Sequence, residues 1–458
     1  MAHISRVSVT SRAKSRRTRA GLVAALTAIT LGSLTACGGG TAKSSPNGAA
    51  SFSPAAQEAG SVLTVWVDAT RLAAAQLYQK ENPSVKMKIV TYDGDANGSN
   101  YVQTKVSLFN RTGSGWPDVV FSSQNNEASW AVQSGFTAPL DKGLIPQATL
   151  DGWATGANAP CTVNGTVYCL RNDLSQTVLW YNATLMKQWG YQVPTTWEQY
   201  QALGQKVATE HPGYLVGSAG DTFAPEIYMW AGKCGANQVT GPKAVTVNTT
   251  GPECTKMATL LDTLIQNKTM STSSVFSTDF AKNDAAKVLM LPGPDWFGGA
   301  LFQGSFKTPK GQIAVAPMPQ WAGDSTPSVG NVGGGTWLLS AHSKNLKDAT
   351  AFLTWVTTSD DYQGKLAPGY PAYSKAATTW LTAQSSSGYY ANDIAKPLQD
   401  AANQIWAGWG YPQFSQEAIW AATISPGVTA HKTIVSLLPA WGTAIENYAK
   451  TDGYQVGK

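Results

Sequence analysis

The chain has 458 residues, of which only 13% are charged, yet it carries 17 Trp and 17 Tyr. Its 33 Lys+Arg outnumber 28 Asp+Glu, but six of the basic residues and no acid fall in residues 1–36, leaving 27 basic against 28 acidic residues beyond. That remainder has no basic surplus to support nucleic-acid binding, and its low charge favours an uncharged polar ligand over a phosphorylated one.

The first element is basic: Arg6, Arg12, Lys14, Arg16, Arg17 and Arg19 precede an apolar run from Gly21 to Ala36, then Cys37 and three glycines. A basic region, a short apolar region and small residues at the cut make a secretory signal. The run is shorter than the ~20 apolar residues of a spanning helix, which argues against a transmembrane anchor. Leu34-Thr35-Ala36-Cys37 at the cut resembles a bacterial lipoprotein signal. The resemblance implies that residues 1–36 are removed, that Cys37 carries lipid, and that the protein works outside the cytoplasm, anchored to the cell membrane. Ser15-Arg16-Arg17 leaves Sec and twin-arginine export both open. Residues 37–60, rich in Gly, Ala, Ser and Pro, are expected to form a flexible linker.

From Ser61 onward about 400 residues remain, enough for two domains. Val62 to Val67 reads as a strand, Arg71 to Asn82 as a helix closed by Pro83, and Val85 to Tyr92 as an alternating strand. A helix from Asn100 to Asn110 then precedes a short buried strand, Pro117 to Ser122. This β-α-β-α-β alternation predicts an α/β fold with a mainly parallel sheet flanked by helices. Ligands in such sheets bind beyond the carboxyl ends of strands, which points to Asp68, Asp93 and Gln124-Asn125-Asn126. Further on, Thr177 to Tyr181 reads as a strand and Thr184 to Trp189 as a helix. Thr195 or Thr196 with Glu198 reads as a helix-capping box. Gln312 to Ala316 is strand-like, a Gly-rich turn at 330–335 feeds another strand, and Lys347 to Thr357 is an amphipathic helix.

Five cysteines are present. Besides Cys37, an exported chain with four others suggests two disulfides. Cys161 and Cys169 flank Asn164-Gly165, a strong hairpin signal, so sequence neighbours are expected to pair as Cys161–Cys169 and Cys234–Cys254. Zinc is the rival reading, but no CxxC occurs and the histidines are scattered. No metal and no cofactor is expected.

From Val62 to the C-terminus the chain resembles the extracellular sugar-binding proteins of ABC importers, the family that includes the maltose-binding protein. Leu63-Thr64-Val65-Trp66, Pro117-Asp118-Val119-Val120, the stretch Gly135 to Asp141, Val178 to Trp197, Gly333 to Thr358 and Gly369-Tyr370-Pro371-Ala372 carry the likeness in order. The resemblance implies a two-lobed periplasmic-binding-protein-like fold, each lobe a mainly parallel sheet flanked by helices, joined by hinge crossovers. Lobe one would be 61–171 plus 318–369 and lobe two 172–317 plus 370–458, with crossings near Asn172, Pro317 and Gly369. It further implies a monomer that captures a sugar or oligosaccharide and delivers it to ABC permease subunits in the membrane.

Carboxylates and side-chain amides pair with sugar hydroxyls, and aromatic rings cover the C–H faces. Family positions make Asp68, Gln124, Asn125, Asp173, Asp221 and Trp296 the candidates, with Trp296 as the stacking ring. Gly333, Gly334 and Gly335 offer backbone N–H groups. Trp66, Trp230, Trp337, Tyr370, Trp406 and Trp409 form a second tier. Ser122 stands where the maltose-binding protein has a stacking aromatic, so the ligand is expected to be held differently. Two rival functions remain. A surface glycoside hydrolase needs two carboxylates facing across a sugar ring, for which no motif is evident. A quaternary-ammonium osmolyte binder needs a cage of aromatic rings, which the Trp count allows.

Overall fold

A computed structural model describes residues 52–92 and 101–457; Cys37, Asp93 and most of the expected linker lie outside the described residues. Among the described residues the strands run, in chain order, β1 Leu63–Val67, β2 Met87–Thr91, β3 Val119–Ser122, β4 Thr162–Val163, β5 Thr166–Val167, β6 Cys169–Arg171, β7 Thr177–Asn182, β8 Gly217–Ser218, β9 Gln238–Gly241, β10 Ala244–Thr246, β11 Met270–Ser271, β12 Met290–Pro294, β13 Ile313–Ala316, β14 Thr336–Leu339 and β15 Gln455–Gly457.

The first sheet has the order β2-β1-β3-β14-β6. In β1 the apolar Leu63, Val65 and Val67 are buried while Thr64 and Trp66 are half-buried, and β3 is buried throughout. β2, β1 and β3 are parallel, because the helices Leu72–Glu81 and Tyr101–Thr112 carry the chain back between them. The expectation of mainly parallel sheets needs correction beyond this trio. β14 runs antiparallel to both β3 and β6, and β7 runs antiparallel to both β12 and β13. Each of these strands enters from the other sheet rather than through a helical crossover, so nothing imposes a parallel direction on it. The parallel pair β11–β8 lies beside β12 through a parallel bridge, Leu215 to Val288. The second sheet therefore repeats the first: three parallel strands, then two antiparallel pairings.

The chain leaves the first sheet at Arg171 and enters the second at Thr177. It comes back later than Pro317. The Gln320 N–H still donates to Thr195 O at 3.1 Å, the Val329 N–H to Gln404 O at 3.0 Å and the Trp321 indole to Gly232 O at 3.3 Å, all partners from the second sheet's side. The expected linker also ends early. The Glu58 N–H donates to Lys344 O, and Gln57 Oε1 accepts from the Leu346 N–H, both at 2.8 Å, so residues 57 and 58 dock on the start of the helix Leu346–Thr358.

The helix Trp197–Glu210 opens on a capping box formed by Thr196 with Gln199, not Glu198. With Thr196 as cap, Gln199 is the third helical residue, the one whose side chain reaches back. Trp337 is a second correction: it is 0% exposed, edge-on to Phe121 and Phe352, with its indole N–H on Asn172 Oδ1 at 2.9 Å. All four residues of β14 are buried, so this strand presents no ring to a ligand.

Both disulfides form as expected, with Cα–Cα distances of 4.9 Å for Cys161–Cys169 and 4.3 Å for Cys234–Cys254. Asn164 and Gly165 take φ of 50° and 75°, the left-handed pair that a tight hairpin between β4 and β5 requires. Reduction, or a Cys234→Ser/Cys254→Ser double variant, is expected to lower stability by about 2–3 kcal/mol per bridge. Denaturant melts with and without reductant test this; superimposable curves would show the bridges to be energetically idle. No helix among the described residues is long and apolar enough to cross a membrane.

Candidate ligand cleft

Past the carboxyl end of β3 the chain enters the helix Asn125–Gln133, with Gln124 at its cap. Facing this helix start are residues 409–417 from the far side of the molecule. Gln124, Asn125, Asn126, Glu226, Trp230, Asn237, Gly333, Trp409, Tyr411, Gln416 and Glu417 line a narrow cleft. Two hydrogen bonds latch its sides: Asn126 Nδ2 donates to Gln413 O at 3.2 Å and Ser129 Oγ to Tyr411 O at 2.6 Å.

Arg171, at the end of β6, organises one wall and is 1% exposed. Its Nε donates to Asp173 O at 2.9 Å and its Nη1 to Asn125 Oδ1 at 2.5 Å. Its Nη2 serves Asn331 Oδ1 at 2.8 Å and Gly333 O at 2.5 Å. A fixed fork of donors suits this many acceptors, where a lysine would not. Gly334 makes the room. Its φ is +90°, and a Cβ there would collide with the guanidinium and lie 2.5 Å from Asp173 O. Gly334→Ala is therefore expected to destabilise the protein by about 2 kcal/mol or more, readable by thermal melt; a loss within about 0.5 kcal/mol would mean that the wall relaxes freely.

Glu226 and Glu417 come from the helical turn Pro225–Met229 and the helix Gln416–Thr423. Both carboxyls are buried in the cleft. Burial, then the facing Glu417, pushes Glu226 well above the usual carboxylate range. Burial raises Glu417 to about 7, although hydrogen bonds with Glu226 and Gln124 favour its charged form. The rings come from Trp230, Trp409 and Tyr411. Trp409 lies 5.0 Å from Trp230, and its indole N–H is held by Cys234 O at 2.5 Å.

The structure brings Gln124, Asn125, Asn126, Trp230, Gly333 and Trp409 into this cleft and leaves the other candidates elsewhere. Asp68 accepts from the Arg71 N–H at 2.8 Å and pairs with its guanidinium, closing the turn that leads into the helix Leu72–Glu81. Asp173 takes the side chains of Asn172 and Ser175 and, at 3.5 Å, Arg71. It sits where residues 172–174 meet 370–372, the bridge Asp173–Pro371 marking the contact. Gly369 packs there because a Cβ would come within 2.8 Å of Asp173 Oδ2. Gly334 serves Arg171, as above. Asp221 accepts from Ser274 Oγ and the Val275 N–H and borders a separate hollow with Phe223, Val275 and Phe297. Trp296 is half-buried, stacked on Phe276 at 5.9 Å and edge-on to Phe297 at 4.9 Å, with its indole N–H on Val332 O. Trp406 lies in a loop, as Gly408 and Gly410 predict, and its carbonyl takes the Trp230 indole N–H at 2.7 Å.

Sequence reasoning missed Glu226, Asn237, Tyr411, Gln416 and Glu417. No motif marks them, since they reach the cleft only through long-range packing. Tyr411 and Gln416 did lie just past the flagged Trp406 and Trp409.

Polar amides, a carboxyl pair and indole rings around one cleft, flanked by two sheets of matching topology, define a receptor for a small polar solute. The chain belongs to the bacterial extracellular solute-binding protein family, whose model matches residues 57–363; the family consists of binding proteins, not catalysts. The chain is similar to the arabinooligosaccharide-binding protein of Bacillus subtilis (strain 168), 30% identical over 215 residues, covering 44% of this chain and 47% of that protein. It thus spans about half the length of the curated relatives it matches. Among solved structures it resembles the ABC transporter associated binding protein from B. animalis subsp. lactis Bl-04 in complex with β-1,6-galactobiose. There the TM-score is 0.72 and the identity 20%, over 87% of this chain and 99% of that one. It also resembles the galacto-N-biose-/lacto-N-biose I-binding protein from Bifidobacterium longum, with TM-score 0.69 and 18% identity, over 86% and 98%. At these identities the structural likeness carries the two-lobed fold.

Proposed function

We propose that the protein is the oligosaccharide-capturing component of an ABC importer, tethered outside the cell membrane by lipid on Cys37 and delivering its ligand to permease subunits. The cleft composition carries this reading. Side-chain amides of Gln124, Asn125, Asn126, Asn237 and Gln416 converge with the rings of Trp230, Trp409 and Tyr411. Amides match hydroxyl groups, rings match sugar C–H faces, and no lysine lines the space to draw a phosphate. Relatives whose names record arabinooligosaccharide, galactobiose and lacto-N-biose support the ligand class. Lobe one comprises the first sheet and lobe two the second, closing about the crossings near Asn172, Asn331 and Gly369 as in hinge-type binding proteins.

A panel of arabino- and galacto-oligosaccharides, set against glycine betaine, tests this by thermal shift and calorimetry. An oligosaccharide at about 100 times its dissociation constant should stabilise the protein by about 2.7 kcal/mol, without appearance of hydrolysis product. Binding of betaine alone would move the function to an osmolyte receptor, and release of shorter sugars would make it a hydrolase. Mass spectrometry of the membrane-extracted protein tests the anchor; an N-terminus without lipid on Cys37 would remove it.

A further inference from the structure

Two buried acids facing each other across one cleft need a balancing charge or a proton. Arg171 acts on Glu226 from the end of β6, and Tyr411 also feels both Arg171 and Glu226. On the helix Asn125–Gln133 the acid is Glu127, held by Ser122 Oγ. On the helix Pro252–Gln266, which packs on the turn of Glu226, Lys256 pairs with Glu198, Glu253 is exposed and Asp262 accepts the Ile434 and Val435 N–H groups. On the helix Ile434–Thr451, which packs on that of Glu417, Glu446 and Lys450 pair with each other. Asp295 follows β12 beside the turn and accepts the Tyr370 N–H. Among these, Arg171 is the one cation that acts on Glu226, and it is shared with Asp173 and Asp295. A single guanidinium shared among these acids does not balance two more charged carboxylates, so one of the pair keeps a proton.

An independent observation ties the pair to a ligand. Gln416, next to Glu417 in sequence, is 6% exposed and lines the same cleft. Neither end of its amide has a hydrogen-bond partner in the protein, and Asn237 Oδ1 in the same lining is likewise unpartnered. Buried polar atoms are normally satisfied, so these point to a ligand that satisfies them.

We infer that Glu226 and Glu417 hold one proton between them near neutral pH and, together with Gln416, grip adjacent hydroxyls of the bound sugar. The inference rests on the oligosaccharide reading for its ligand. A protonated carboxyl donates while its charged neighbour accepts, so the pair matches a diol in which one hydroxyl accepts and the other donates. Loss of the shared proton leaves two like charges against one arginine and removes the donor, so sugar affinity falls as pH rises.

The sign for stability is the same. Carboxyls raised in the folded state stabilise fully below their unfolded value and lose that contribution as pH rises through the folded one. The window here opens at about 4.3, an ordinary glutamate, passes about 7, to which Glu417 is raised, and extends above it, because Glu226 is raised well above the usual carboxylate range and gives up the last proton. Other buried acids, Asp295 and Asp221 among them, tilt the same way. The test is therefore a difference between wild type and Glu417→Gln, which keeps the shape and removes the charge.

In ligand-free melts from pH 5 to 9, the variant should gain on wild type as pH rises, by up to tenfold in the folding constant per pH unit within the window. Calorimetry with arabinotriose and β-1,6-galactobiose should show wild-type affinity falling about tenfold from pH 6 to 9, and a profile in Glu417→Gln flat to about twofold. Parallel ligand-free profiles for wild type, Glu417→Gln and Glu226→Gln would overturn the shared proton. An unchanged sugar profile in the variant would overturn the pair's role in binding. If neither sugar binds wild type at any pH, the oligosaccharide reading and the diol grip fall together, while the ligand-free melts still decide the proton.

Discussion

Replacing Arg171 with methionine should cost more than about 3 kcal/mol and leave little folded protein at 37 °C. The guanidinium donates to four acceptors, Asp173 O, Asn125 Oδ1, Asn331 Oδ1 and Gly333 O. Methionine fills the apolar stem and donates nothing. Each buried acceptor left without a partner costs about 1–3 kcal/mol. The same change strips Glu226 of the cation that acts on it, so the loss should be larger at pH 8 than at pH 5. Arg171→Lys restores the charge without the fork and should recover only part of the loss. Denaturant unfolding at the two pH values is the measurement. A loss under about 1 kcal/mol would mean that Arg171 does not organise the cleft wall.

Replacing Gln416 with leucine should do the opposite: leave the empty protein intact and weaken sugar binding. Its amide is buried with no partner in the protein at either end, so the ligand-free fold loses no hydrogen bond. Leucine of similar bulk avoids the desolvation cost of that amide, and unfolding should be unchanged or slightly harder. The bound sugar, by contrast, loses a donor and an acceptor inside a water-poor cleft. Polar groups built to meet hydroxyls are worth about 1–3 kcal/mol there, or about ten- to a hundredfold in affinity. Calorimetry on the variant, with melts as control, reads both effects. Full affinity in a folded variant would place the ligand away from Gln416.

The sheets were legible because they rest on local signals. Alternation in Leu63–Val67, the apolar run Val119–Ser122 and the Asn-Gly turn between the paired cysteines each reveal themselves within a few residues. Strand direction was less so. Whether β14 runs with or against β3 depends on where the chain has been in between, which spans more than two hundred residues. The site was half legible for the same reason. Gln124 and Asn125 follow directly from the rule that ligands gather beyond strand ends, but Asp68 and Asp173 obey that rule too and are taken by Arg71. An aspartate after a strand reads the same whether it meets a sugar or an arginine. Glu226 and Glu417 are 191 positions apart and meet only through packing of the turn Pro225–Met229 against the helix Gln416–Thr423.

The structure of a complex with the tightest-binding oligosaccharide of the panel shows where the ligand sits. The sugar should lie between Gln124–Asn126 and Trp409–Glu417, with a ring over Trp230 or Tyr411 and a hydroxyl on Gln416. A sugar found instead against Trp296 and Phe276, beside Asp221, with the cleft at Glu226 and Glu417 left empty, would show that these residues do not form the sugar site.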